Sequence, residues 1–268
     1  MAPTQNPSLD PGQISDPAPP PPAAPVEDPP WTGWDVLRIA FLAVFSIIVC
    51  LFVVTFAVRR LVYPNVPWRD VAQYPVPIVF AQLVAYVLVL VFMYATVHQH
   101  GGKQFWKTIG WNWPDNWALF VISGVVLSVG LQAIANLLPM PKNLPIDRFF
   151  QTAREAYLLS IFGMTVAPLL EELFFRGFLY PVLARRLGMV TAVGLTALSF
   201  GLIHAPQLGR AWGPVLVIFL VGVALTVTRA VTKSVAAGVL MHMAYNATIS
   251  VLIFFATDHF RHLEKLKQ

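Results

Sequence analysis

The feature that most constrains this chain is a run of twenty residues, 39–58, that contains no charged side chain and is bracketed by Arg38 and Arg59. About twenty apolar residues in a helix match a hydrocarbon core ~30 Å thick, so the run reads as a membrane span. Residues 78–97 form a second uncharged run of the same length, entered through Tyr74-Pro75-Val76-Pro77, and prolines are tolerated where a helix begins. Trp106, Trp111, Trp113 and Trp117 cluster before a third run, 118–138, as in an interfacial aromatic belt. A fourth segment starts at 157, passes through Glu171-Glu172 and continues helically to about 183. A fifth covers 189 to about 205, a sixth 214–228 and a seventh 235–257. Backbone groups in lipid must be satisfied within the segment, so the expected fold is all-α: a polytopic transmembrane helix bundle of about seven spans, with six to eight possible.

Composition agrees, with 57% hydrophobic and 12% charged residues against about 25% charged in an ordinary soluble domain. The net charge of +5 is spread singly or in pairs such as Arg59-Arg60 and Arg185-Arg186. That pattern suits membrane-surface anchoring and excludes a nucleic-acid partner. If the N-terminus is cytoplasmic, seven lysines and arginines fall inside and ten outside, omitting Arg176, a bias that favours the reverse orientation. The single Cys50 permits neither an internal disulfide nor a zinc–thiolate site. Residues 1–30 hold 11 prolines and no aromatic or basic residue, a composition expected to stay disordered. Lacking a signal-peptide pattern, this tail implies that Met1 is the start and the first span is uncleaved. The chain therefore divides into a Pro-rich tail (1–30), an N-terminal three-span region (31–150), a core (151–258) and a C-terminal tail (259–268).

Thirteen residues are acidic, and only Glu171 and Glu172 fall inside a span. A charge at the bilayer centre costs on the order of 3 kcal/mol, so each carboxylate needs a partner or water. Arg176 follows Glu172 by four residues, on the same helical face and in the favourable order, which reads as a structural ion pair. Glu171 points about 100° away and has no such neighbour. His204 lies four residues after Phe200 near the end of the fifth span, and His242 and Asn246 sit four apart in the seventh. Glu171 with His204 can turn water into a nucleophile, while His242 and Asn246 can donate hydrogen bonds to the oxygen that becomes negative when a carbonyl is attacked. Each group also has a plain structural use as an interhelical hydrogen-bonding residue. His98, His100, His259 and His262 lie at span ends or in the tail and read as interfacial. Tyr180, Tyr245 and Gln132 read as polar lining or packing.

Three ordered motifs then stand out: Glu171-Glu172-Leu173-Phe174-Phe175-Arg176, Phe200-Gly201-Leu202-Ile203-His204 and His242-Met243-Ala244-Tyr245-Asn246. Together they resemble the CPBP, or Abi, intramembrane proteases, which include the type II CAAX prenyl endopeptidases and bacteriocin-processing and immunity proteins. The resemblance covers roughly residues 157–257, matches every motif position and leaves residues 1 to about 115 outside. It implies an intramembrane endopeptidase that hydrolyses peptide bonds of membrane-embedded or lipid-anchored, CAAX-like substrates. Glu171 and His204 would activate water, His242 and Asn246 would form the oxyanion site, and Glu172, Arg176 and Phe200 would support them. Its partners would be a membrane protein or lipidated peptide and the bilayer, and its location a cell membrane crossed several times. If zinc is bound, Glu171, His204 and His242 could supply three ligands, but no His-Glu-x-x-His helix is present and the sequence favours a metal-free mechanism. The competing readings are a non-catalytic scaffold or immunity protein on the same fold and a proton-coupled transporter. No internal repeat supports the transporter.

Overall fold

The computed structural model describes residues 27–141 and 143–264. The reading of a disordered segment therefore lies, for residues 1–26, outside the described residues. All regular structure among the described residues is helical: α1 (Gly33–Leu61), α2 (Trp68–Val71), α3 (Pro75–Gln99), α4 (Phe105–Thr108), α5 (Trp117–Ala135), a 3-10 turn (Pro145–Phe149), α6 (Ala153–Met164) and α7 (Val166–Glu172). A π-helical segment (Leu173–Leu179), α8 (Tyr180–Leu187), α9 (Met189–His204), α10 (Trp212–Thr232) and α11 (Val235–Ala256) complete the chain. Six of these units are long and apolar enough to cross a membrane, the run from Ala153 to Leu187 counting as one, and α9 is a shorter apolar helix of 16 residues. The result is the expected polytopic helical bundle of about seven spans.

Local sequence explains the ends. Thr32 and Asp35 form a capping box that starts α1, Thr152 and Glu155 form another that starts α6, and the Ser234 hydroxyl accepts from the backbone of Ala237 to start α11. Gly188, at φ 78°, makes the tight reversal between α8 and α9 that a Cβ would disfavour. On α1 the large residues Phe41, Phe45, Ile48, Phe52 and Phe56 stay exposed along one stripe, which is the surface a lipid environment would cover.

The spans pack in pairs, α1 on α3, α5 on α11 and α9 on α10. Small residues permit the closest approaches, because helix association in lipid depends on packing rather than on expulsion of water. A Cβ placed on Gly124 would lie 2.3 Å from the carbonyl oxygen of Met241, so only glycine lets α5 approach α11 this closely. Gly222 plays the same part between α10 and α9, where a Cβ would meet Ala197 at 3.0 Å.

The fourth span departs from the continuous helix expected through the glutamates. It breaks at Thr165, whose φ and ψ are −122° and −73°. Pro168 explains the break, since it has no N–H to offer the carbonyl four residues earlier at Met164. Beyond Glu172 the helix widens into a π turn, closed by the Tyr180 N–H bonding the Phe175 carbonyl five residues back. The two glutamates thus lie between the two irregularities of this span.

Candidate active site

The two adjacent glutamates face different surroundings. The Glu172 side chain is fully buried, and its Oε1 accepts from Arg176 Nη1 at 2.8 Å. The intrahelical ion pair expected from their spacing is therefore present in the structure. The remaining Arg176 donors are spent on α10: Nε donates to Thr226 Oγ1 at 3.2 Å and Nη2 to the Gly222 carbonyl at 3.0 Å, while the guanidinium lies 4.6 Å from the Phe200 ring centroid. A buried charge pair needs such supplementary hydrogen bonds to offset its desolvation. Sequence spacing revealed the Glu172–Arg176 pair but not Thr226 or Gly222, which lie one helix away.

His242 also reaches Glu172. Its Nδ1 stands 2.9 Å from Glu172 Oε1, and its Nε2 stands 3.8 Å from Glu171 Oε2, so the ring bridges the two carboxylates. Because a carboxylate only accepts, the proton on this ring belongs on Nδ1 when the ring is neutral. The second Glu172 oxygen, Oε2, has no hydrogen-bond partner and faces Gly238 of α11, where a Cβ would stand 2.9 Å away. Glycine at 238 therefore makes the room this carboxylate occupies.

Glu171 keeps 19% of its side-chain surface and stands with Oε1 4.0 Å from His204 Nε2. His204 Nδ1 meets the Phe200 carbonyl at 2.8 Å. A carbonyl can only accept, so when the ring is neutral Nδ1 carries the proton and Nε2 presents its lone pair toward Glu171. The two ends of the second motif thus explain one another: Phe200 fixes the ring of His204 by its backbone and packs 5.7 Å from His242 by its ring.

Asn246 sits one turn beyond His242, where its Nδ2 donates to the Gly163 carbonyl at 2.7 Å. The expected free pair of amide hydrogens is therefore half engaged, where the end of α6 packs beside α11. Glu171, His204 and Asn246 line one cavity of about 450 Å³, whose remaining wall includes Ile78, Gln82 and Tyr86 of α3, Phe149, Phe150, Phe162, Gln207 and Ile249. His242 lies behind this wall and is only 4% exposed. The polar side chains read from the sequence therefore converge from α7, α9 and α11. Gln82, Tyr86 and Gln207 were missed, since nothing in their local sequence sets them apart from ordinary span or loop residues.

Tyr180, Tyr245 and Gln132 lie elsewhere. Tyr180 and Tyr245 are buried in packing clusters and Gln132 is exposed. His100 is more than interfacial, since its Nε2 pairs with Asp35 Oδ2 at 3.1 Å and ties the end of α3 to the start of α1. Among the described residues no group of three or more His, Cys, Asp or Glu side chains is arranged to hold a metal ion. Glu171 stands 4.0 and 3.8 Å from Nε2 of His204 and of His242, while Nδ1 of each ring is held by Phe200 and by Glu172, so the second nitrogen of both rings faces Glu171.

Fold and site together define a multi-pass helical membrane protein organised around an intramembrane glutamate–histidine cluster. Residues 153–248, the segment that holds all three motifs, match the family described as Type II CAAX prenyl endopeptidase Rce1-like. Comparison with curated proteins and with solved structures gives no match.

Proposed function

We propose that this protein is an intramembrane endopeptidase in which Glu171 and His204 activate a water molecule. The observation that carries the reading is the 4.0 Å separation of Glu171 Oε1 from His204 Nε2 on the wall of the 450 Å³ cavity. That distance is too long for a direct hydrogen bond and suits one water bridging two acceptors. With both neighbours accepting, the water donates both of its hydrogens and turns an oxygen lone pair toward the cavity. Attack on a peptide carbonyl forms the new C–O bond as the proton moves to Glu171. The same proton then passes to the departing amide nitrogen as the C–N bond breaks.

The oxygen that becomes negative meets the donors at hand. Asn246 keeps one Nδ2 hydrogen beside the one donated to Gly163, and His242, which stands behind the cavity wall with Nδ1 on Glu172, would supply a second donor from Nε2 only where bound substrate reaches past that wall. Glu172 is then a positioning group that orients His242, and Arg176 holds Glu172 in place. The cavity's apolar walls suit a membrane-embedded or lipid-anchored peptide, the substrate class that the matched family also supports. The proposed setting is a cell membrane, with residues 151–258 as the catalytic core and 31–150 as the region that completes its walls.

The test is cleavage of prenylated and unprenylated peptides by detergent-purified protein, with product masses determined and each reaction repeated after chelator treatment. Cleavage at one bond that persists in chelator supports the reading. Loss on chelation with recovery on adding zinc replaces the mechanism and keeps the activity, and no cleavage of any membrane-presented peptide removes the function.

A further inference from the structure

The end of α8 and the turn after α10 carry a cluster of contacts that the cleavage chemistry does not use. Arg229 is 2% exposed although it sits in the last turn of a span, and it binds Glu27 through two bonds of 2.8 and 3.2 Å. Lys233 adds a contact to the same carboxylate at 3.2 Å. Arg185 holds Asp28 Oδ1 at 3.0 Å and the carbonyls of Pro29 and Trp31 at 2.7 and 3.2 Å. Residues 27–31 are thereby strapped across the core from outside the family-matched segment.

The strap ends in Trp31, whose side chain is completely buried. Its indole stacks on Phe178 with centroids 4.5 Å apart, and its Nε1–H donates to the Phe178 carbonyl at 3.1 Å. Phe178 belongs to the π-helical segment, and Trp31 shares a buried cluster with Leu170 and Leu173, the residues on either side of Glu171-Glu172. A π turn is an irregular stretch of helix that depends on its surroundings to persist, and such turns recur at functional sites.

We propose that Trp31, fastened by Glu27 to Arg229, is a positioning element for the catalytic helix: it holds the π turn that sets the direction of Glu171, Glu172 and Arg176. The clamp acts at a distance from the cavity, so it governs turnover rather than substrate capture. This inference rests on the protease reading for its kinetic arm, and a second arm is independent of cleavage.

The experiment uses the full chain in detergent and three variants. Trp31→Phe keeps an aromatic ring and removes the N–H donor, Glu27→Gln removes the charge, and the exchange Glu27→Arg with Arg229→Glu restores an ion pair in reverse. Hydrogen–deuterium exchange is expected to rise about fivefold at residues 173–179 in Trp31→Phe and in Glu27→Gln, the factor that one net hydrogen bond implies. Exchange in α5 should stay unchanged, and the charge exchange should recover protection. On a prenylated fluorogenic peptide both single variants should lose kcat by a similar factor with KM unchanged. Unaltered exchange at 173–179 overturns the clamp whether or not the peptide is cleaved. A uniform rise in exchange over the whole chain, with kcat per folded molecule unchanged, overturns it in favour of a purely structural strap. If the wild type cleaves nothing, the protease reading fails and the exchange data alone decide the clamp.

Discussion

Arg176 is the residue on which the buried charges depend. It is fully buried, and its three nitrogen donors meet Glu172, Thr226 and Gly222. Removing one partner of such a pair leaves the other charge uncompensated, at a cost of about 3–5 kcal/mol. Arg176→Met and Glu172→Gln are therefore both expected to lower the detergent melting temperature, Glu172→Gln less because its amide oxygen still accepts from Arg176, and Glu172→Gln should in addition lose activity per folded molecule through a misaligned His242. Thermal unfolding followed alongside peptide cleavage separates the two effects. Much at this scale was legible in sequence, because Glu172 and Arg176 are four apart on one helix and two glutamates inside a span are costly. The bridge from Glu172 to His242 was not legible, since it joins residues 70 apart and depends on how α7 and α11 pack.

At the scale of elements, close helix approach sets the site's dimensions. Gly124 allows α5 to press on α11 at Met241, the residue preceding His242. Gly124→Val is expected to cost at least the ~1–3 kcal/mol of an overpacked interface, and to displace His242 enough that activity falls before the fold is lost. Melting temperature and cleavage measured on the same preparation test this. Gly238→Ala is a milder probe, since its Cβ would meet the end of the Glu172 side chain at 2.9 Å and not the backbone. It should fold normally and lower kcat. The spans themselves could be read from uncharged runs, and the structure extends most of them by a few residues. The break at Thr165 and the π turn could not be read so directly: Pro168 hints at the first, but the second follows from contacts with α10 and Trp31 that no local pattern records.

For the whole molecule, the segment before α1 joins the two halves of the chain. Composition assigns residues 27–30 to the Pro-rich tail, yet Glu27 and Asp28 pair with Arg229, Lys233 and Arg185 in the core. Burial alone would raise the Glu27 carboxyl, but the hydrogen bonds and charges of Arg229 and Lys233 outweigh it and hold Glu27 below its ordinary value of 4.5. A depressed carboxylate contributes stability that is present above the unfolded value and is lost as pH falls through the folded one. Melting temperature should therefore decline as pH drops below 4.5, and Glu27→Gln should remove part of that decline while lowering stability at neutral pH. A pH profile of the variant that parallels the wild type contradicts this coupling.

The central claim is that Glu171 is the group that takes the proton from water. The most direct measurement compares wild type with Glu171→Gln in both binding and single-turnover cleavage of one prenylated peptide. The account predicts binding within about twofold and a loss of cleavage of roughly 10²–10⁴, the usual contribution of a general base. Cleavage by Glu171→Gln at a rate near that of wild type would contradict it.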